Sequence, residues 1–325
     1  MTTTMPLEDA TVTAQFAQAL IQAAQRLGYQ LPPSLLATCQ DQSRISLALQ
    51  GEIWTHLCEH SSDPLLGIHL GQALEVGHLD TVGILLMSCD TLGDALDALV
   101  TYHPIVSEGG QFAYRIIDRQ CGISYHADYA SCRPQRREAV MASLQKLASW
   151  ISGQRIDVLR IEFEHAPHDQ PQRYQQLLHA PVYFECAATT LWLDQAALSI
   201  PLIQANPALR QQLRQLADRS LNALGDAPLT HQVSELIRKY PRWGKEKVAD
   251  KLAMSGRHLL RKLAEEGSDF KTLRETVLFN NAKEGLDAGI RVDELADQLG
   301  FSDDRAFAKA FKRWSGITPA QYRTR

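Results

Sequence analysis

Residues 291–323, RVDELADQLGFSDDRAFAKAFKRWSGITPAQYR, constrain the chain more than any other stretch. Leu295, Ala296 and Leu299 form the apolar face of one helix, and small Ala296 allows close helix approach. Gly300 ends that helix where a positive φ suits glycine, and Phe301 plugs the core beneath the turn. Ser302 is expected to cap the next helix, with Asp303 and Asp304 in its first turn near the positive dipole end. Phe307 and Phe311, four apart, bury one face of it and leave Arg305, Lys309, Lys312 and Arg313 outside. Such a helix fits a B-DNA major groove about 12 Å wide.

Lys245 to Glu266, KEKVADKLAMSGRHLLRKLAEE, repeats the design. Val248, Ala249 and Leu252 face the core, Ser255 caps, and Leu259 and Leu263 bury the second helix. Arg257, His258, Arg261 and Lys262 are expected to stay exposed. Val248 matches Leu295 at an offset of 47, and Leu259 matches Phe307 at 48, so the second turn is one residue longer. Two copies with slipped register point to a duplicated motif and not to a solenoid. Phe270–Asp287 between them reads as a helix. With its ends it has about 20 residues, roughly 30 Å at 1.5 Å per residue. Adjacent major-groove faces lie about 34 Å apart, so one connector could present both basic helices to one side of a duplex.

Charge is split accordingly. The whole chain has 33 Lys and Arg against 37 Asp and Glu, net −4. Residues 226–325 hold 19 basic and 15 acidic side chains, net +4, leaving 14 against 22, net −8, in the first 225. Such asymmetry fits one half facing a polyanion. The six cysteines (Cys39, Cys58, Cys89, Cys121, Cys132, Cys186) form no C-x-x-C pair and are expected to be free thiols in a reducing compartment. No apolar run is long enough to span a bilayer, and the N-terminus lacks the basic start and apolar core of a secretory signal. The expectation is a cytoplasmic protein without a membrane partner.

The first 225 residues read as mixed α and β. Residues 1–10 look frayed. Helices are expected over Val12–Leu27, Ser43–His60, and from Asp63-Pro64 through Leu70 or Gly71. Another starts at Thr91, with Asp94 completing a capping box, and ends near His103-Pro104. Residues 111–118 and 120–126 alternate as a hairpin. Arg133–Ile151 is helical, with Val140, Leu144, Leu147, Trp150 and Ile151 on one face. Residues 155–165 read as a strand, 181–185 and 189–194 as a second hairpin, Pro207–Ala223 as a helix, and 224–228 (LGDAP) as a hinge. Tyr102, His103 and Trp150 are the candidate effector contacts, each set against an ordinary capping or core role. Arg133, Arg136 and Arg137 either attract an anion or form a solvated face. His165 and His168 lack a third ligand at zinc-like spacing, so no metal is expected. No nucleophile elbow, Walker loop or dinucleotide fingerprint occurs. Neither catalytic residue nor cofactor is therefore assigned, and the chain is not expected to be an enzyme.

The motif Phe311-Lys312-Arg313-Trp314-x-Gly316-Ile317-Thr318-Pro319-x-x-Tyr322-Arg323, with Leu299-Gly300-Phe301-Ser302, resembles the DNA-binding domain of the AraC/XylS family over residues 229–325. Asp63-Pro64-Leu65-Leu66-Gly67, Thr91-Leu92-Gly93-Asp94-Ala95-Leu96 and Ala180-Pro181-Val182-Tyr183-Phe184 resemble the arabinose-binding-type N-terminal domain of some members. Despite its label, that domain is not tied to sugars. The resemblance implies an α+β effector-binding or dimerisation domain over 1–225 and an all-α double helix-turn-helix domain over 226–325. It implies base-facing positions at Arg257, Leu260 and Arg261, and at Asp304, Arg305, Ala308 and Lys309. It also implies double-stranded DNA, a homodimer, RNA polymerase and a small effector as partners, with activation the family's usual output. The alternatives are a ligand-independent dimerising regulator and a metabolic enzyme fused to a DNA-binding domain.

Overall fold

The computed structural model describes residues 10–37, 42–127, 129, 131–224, 229–266 and 268–323. Residues 1–9, Cys39 and hinge residues 225–228 lie outside that set. The chain divides into two compact units, Met1–Gly225 and Asp226–Arg325.

The N-terminal unit begins with a small antiparallel ladder where helix was expected. Thr11–Thr13 pairs with Arg44–Ser46, Val12 opposite Ile45. Helices Ala14–Arg26 and Leu47–His60 start directly after the strands. Thr13 Oγ1 accepts from Phe16 N at 3.3 Å and Ser46 Oγ from Leu49 N at 3.2 Å. Each strand thus ends in a capping hydroxyl, so helical periodicity continues through it and hides three extended residues.

The helix expected from Asp63-Pro64 runs Leu66–Ala73 and crosses Arg133–Ser152 closely. A Cβ at Gly67 would lie 2.2 Å from Gln135 O, and one at Gly71 2.2 Å from Ala139 O. These glycines, four apart on one face, let the two backbones touch. Thr91 and Asp94 form the expected capping box: Asp94 N donates to Thr91 Oγ1 at 3.2 Å, and Thr91 N to Asp94 Oδ2 at 3.2 Å. That helix continues past Pro104 to Val106. Proline removes one donor, but Ile105 and Val106 are buried by continuing, and Ser107 N closes the turn on His103 O at 3.0 Å.

A five-stranded sheet completes the unit, in the order Gln111–Ile117, Gln120–His126, Thr190–Asp194, Val158–Glu162, Val182–Tyr183. The first two form the expected hairpin through a two-residue turn, Asp118 and Arg119 both at positive φ (49° and 63°). The second expected hairpin does not form. Val182–Tyr183 pairs in parallel with Val158–Glu162, and helix Pro171–Leu178 lies between them in the chain. Thr190–Asp194 inserts between Gln120–His126 and Val158–Glu162, antiparallel to both. Leu191, Trp192 and Leu193 are consecutively buried, the pattern of a central strand covered on both faces.

Helix Arg133–Ser152 also departs from expectation. Arg136, Glu138, Ala139, Met141 and Ala142 are buried, while Trp150 is 48% exposed. Arg133 is exposed, but Arg136 and Arg137 do not form a solvated face with it. Arg136 Nη2 donates to Gln50 Oε1 at 2.6 Å and its guanidinium covers the Tyr129 ring at 3.5 Å. Arg137 pairs with Glu164 at 2.9 Å, and Arg133 Nε donates to Tyr129 O.

The glycine crossing gives a test with a decisive sign. In an open helix, Gly→Ala stabilises by about 1 kcal/mol. At Gly71 the added methyl meets backbone, so Gly71→Ala should instead destabilise the N-terminal unit by about 1–3 kcal/mol. A lower urea midpoint for that unit's transition is the expected readout; an unchanged or higher one rejects the close crossing.

Candidate nucleic-acid interface

The described residues of the C-terminal unit form seven helices and no strand: Leu229–Lys239, Lys245–Lys251, Gly256–Glu265, Phe270–Asp287, Val292–Gln298, Asp304–Ser315 and Pro319–Arg323. The two expected helix pairs are present and end their first helices alike. Met254 N donates to Ala249 O at 3.0 Å, and Phe301 N to Ala296 O at 2.9 Å. The residue before each donor is left-handed, Ala253 at φ 53° and Gly300 at φ 80°. The turns then diverge. Ser255 Oγ accepts from His258 N at 3.2 Å, as expected. In the second pair the cap is Asp303, not Ser302: Asp303 Oδ1 accepts from Ala306 N at 2.7 Å. Ser302 is thus the extra turn residue, and a carboxylate is the stronger acceptor at a positive helix end.

Both second helices bury the expected stripe. Leu259, Leu263, Phe307 and Phe311 are all at 0% exposure. The opposite faces carry equivalent sets at an offset of 48, Arg257, Leu260 and Arg261 matching Arg305, Ala308 and Lys309. All are exposed except half-buried Ala308. Asp304, Lys262, Lys312 and Arg313 are exposed too. His258 is not: it is half-buried, with Nε2 out of solvent and unpartnered among the described residues. Arg261 pairs with Glu265 at 3.2 Å, and Arg313 with Glu275 at 2.9 Å. Exposed pairs of this kind contribute roughly 0–1 kcal/mol and can yield to phosphate. The two helices carry formal charges of +2 and +3. Together they exceed the +4 of residues 226–325, so the basic excess is concentrated on these faces.

The connector spans 18 residues, about 27 Å. It packs against Leu229–Lys239 and against both helices of the second pair. A Cβ at Gly285 would lie 2.5 Å from Leu295 Cδ1, so the approach to Val292–Gln298 is tight. Arg242 fastens the turn before the first pair to the second, donating to Asp297 O at 2.8 Å. Glu266 accepts from Leu229 N and Thr230 N, each at 2.9 Å, and closes the N-terminus of Leu229–Lys239.

In the N-terminal unit, an apolar cavity of about 50 Å³ lies among Leu86, Leu96, Ile123, Leu144, Ala148 and Leu191. None of Tyr102, His103 and Trp150 lines it. The buried Tyr102 hydroxyl donates to Asp218 Oδ1 at 2.6 Å. His103 Nδ1 lies 3.1 Å from Gly110 O, edge-on to Phe112, and burial pushes its pKa down to about 4. These are core roles, and Trp150 stands on the surface. Sequence reasoning missed a third donor beside His165 and His168. It is Glu138, whose buried carboxyl is pushed up to about 8 by desolvation, against the pull of the Tyr174 hydroxyl. Nothing in local spacing marks it, because it arrives from another element.

The family described as "Arabinose-binding domain of AraC transcription regulator, N-term" matches residues 12–202, and the one described as "Helix-turn-helix domain" matches 248–325. The ornithine utilization regulator of Pseudomonas aeruginosa is 26% identical over 269 residues, 80% of this chain and 79% of that one. The HTH-type transcriptional regulator VirS of Mycobacterium tuberculosis is 26% identical over 280 residues, 80% and 78%. Among solved structures, the transcriptional regulator CdpR from Pseudomonas aeruginosa shares the fold, with TM-score 0.51 and 22% identity over 95% of this chain and 97% of that one. The chain belongs to the AraC/XylS family: it is a DNA-binding transcription regulator of AraC type, with an arabinose-binding-type N-terminal domain and a helix-turn-helix domain.

Proposed function

We propose that this protein is a sequence-specific cytoplasmic activator. It lays Gly256–Glu265 and Asp304–Ser315 in successive major grooves on one side of a duplex. The observation that carries this reading is the pair of matched outward sets, Arg257/Leu260/Arg261 and Arg305/Ala308/Lys309, over fully buried stripes. Arg257, Arg261, Arg305 and Lys309 read base edges; Lys262, Lys312 and Arg313 hold phosphate. Asp304 accepts from a cytosine amine, while Leu260 and Ala308 pack on thymine methyls. The 27 Å connector is shorter than the roughly 34 Å between groove faces, so the duplex bends modestly toward the protein.

The N-terminal unit holds the homodimer and sets the output toward RNA polymerase. Leu209 and Leu216, seven apart on helix Pro207–Ala223 and both exposed, offer one apolar side for a second copy. A small effector binds by enlarging the apolar cavity. A second reading, a ligand-independent dimerising regulator, is favoured by the cavity's size. At about 50 Å³ it is a third of the roughly 150 Å³ that admits benzene.

Arg305→Ala should weaken binding to the specific site by about 1–3 kcal/mol and relax the preference at one base pair. Lys312→Ala should weaken all sequences alike and reduce the salt slope by about 1. Quantitative gel shifts on site variants at several salt concentrations separate the two. Equal weakening on every sequence for Arg305→Ala would reassign it to phosphate.

Ala148→Val adds two methyl groups to the cavity wall. Reporter expression from a promoter that the protein binds should fall to the uninduced level, with DNA affinity unchanged, if the cavity admits an effector. Unchanged expression would favour the ligand-independent reading.

A further inference from the structure

One side-chain cluster in the N-terminal unit has no part in DNA binding. Glu138 sits within helix Arg133–Ser152 at 0% exposure, and its Oε2 has no partner among the described residues. Its Oε1 accepts from the Tyr174 hydroxyl at 3.0 Å. His165 Nε2, also buried and without a hydrogen-bond partner, faces Glu138 Oε1 across 3.6 Å. His165 Nδ1 lies 2.8 Å from Ala166 O. That contact assigns the proton to Nδ1 and leaves a lone pair on Nε2. The His168 ring stacks on His165 at 5.5 Å, and Gln135 Nε2 lies 3.5 Å from His168 Nε2. One donor atom from each of Glu138, His165 and His168 lies within 4.8 Å of the other two.

Acceptors that converge on one point are stabilised by something positive between them. A proton shared by Glu138 and His165 would serve that pair alone. It would leave Oε2 unsatisfied and give His168 no reason to converge. A tetrahedral ion with bonds of about 2.0–2.2 Å separates its donors by about 3.3–3.6 Å. The Glu138–His165 contact of 3.6 Å already has that spacing, and exposed His168 can turn to complete it. Two histidines and one glutamate are a known donor set for zinc, with water in the fourth position. The supporting hydrogen bonds fit as well. A ligating histidine gives its other N–H to a carbonyl, as His165 does, and a ligating carboxylate accepts a further donor, as Glu138 does from Tyr174. Tyr174 also accepts from His168 N at 3.1 Å, so one hydroxyl braces both ligand-bearing segments.

We propose that Glu138, His165 and His168 bind one divalent transition-metal ion of the zinc type. The ion ties helix Arg133–Ser152 to the segment that follows strand Val158–Glu162. With three protein donors and a solvent-facing position at His168, it acts as a clamp within the N-terminal unit.

The test uses full-length protein stripped with chelator and titrated with Co²⁺, then with Zn²⁺ against a chromophoric competitor. One Co²⁺ per chain should bind with visible ligand-field bands of tetrahedral type, and Zn²⁺ should displace it. Glu138→Gln keeps the shape and the Tyr174 hydrogen bond, and His168→Ala alters an exposed ring. Each should weaken Zn²⁺ binding by about 100-fold or more while the metal-free unfolding midpoint stays near wild type. Zn²⁺ should raise that midpoint in the wild type and in neither variant. Failure of the wild type to bind Co²⁺ one-to-one overturns the proposal. So does wild-type affinity in either variant, which would place the metal elsewhere.

Discussion

Everything the C-terminal unit presents to its surroundings depends on one shared apolar cluster. Val248, Leu259 and Leu263 from the first helix pair meet Leu295, Phe307 and Phe311 from the second through Val277, Leu278, Ala282 and Leu286 of the connector. Neither pair has enough apolar surface to form a core alone. The second completes its core directly on Phe270–Asp287, and the first does so mainly through Leu229–Lys239, which packs along the same connector. The spacing of the two basic helices is therefore a property of packing and not of a flexible tether. A duplex that accepts both must adapt to the protein more than the protein adapts to it.

This dependence explains what was legible in the sequence. Helix pairs are local: Leu259 and Leu263, Phe307 and Phe311, and the caps at Thr91 and Ser255 follow from spacings of three and four residues. The helices Phe270–Asp287 and Pro207–Ala223 could be read to the residue. Strand partners are not local. Thr11–Thr13 finds Arg44–Ser46 about 33 positions away, and Thr190–Asp194 leaves its sequence neighbour for two distant strands. The uninterrupted Leu191-Trp192-Leu193 run was the available signal against an edge hairpin. The partners of buried polar groups are non-local for the same reason. Arg136 looks solvated until Gln50 and Tyr129 are brought to it, and Glu138 has no visible role until His165 arrives. A hydroxyl at Ser302 suits the cap position, yet the residue after it aims a carboxylate at Ala306 N.

The N-terminal unit treats its buried charges in two ways. Arg136 and Arg137 are answered within the chain by an amide, aromatic faces, a carboxylate and a carbonyl. Burial of these guanidiniums costs desolvation, which these contacts offset in part; Arg137 Nε itself has no partner among the described residues. Glu138 is different. It lies two residues beyond Arg136 on the same helix, yet with Tyr174 donating to one oxygen the other has no partner among the described residues.

The two recognition helices are unequal, and the inequality follows from what surrounds each cation. In the first, Arg261 already leans on Glu265, and the exposed position between the arginines is Leu260, at 39% exposure. In the second, no ion pair engages Arg305 or Lys309 among the described residues, and Arg313 alone is drawn aside by Glu275. In the proposed docking, polar base edges would be met more readily by the second helix, with less to release before contact. In that docking the first would break a pair worth about 0.3–0.5 kcal/mol and bring an apolar side chain against the groove floor. An apolar contact discriminates a thymine methyl and little else. The half-site under the first helix should thus tolerate more base changes than the half-site under the second, even with equal phosphate contacts on both sides.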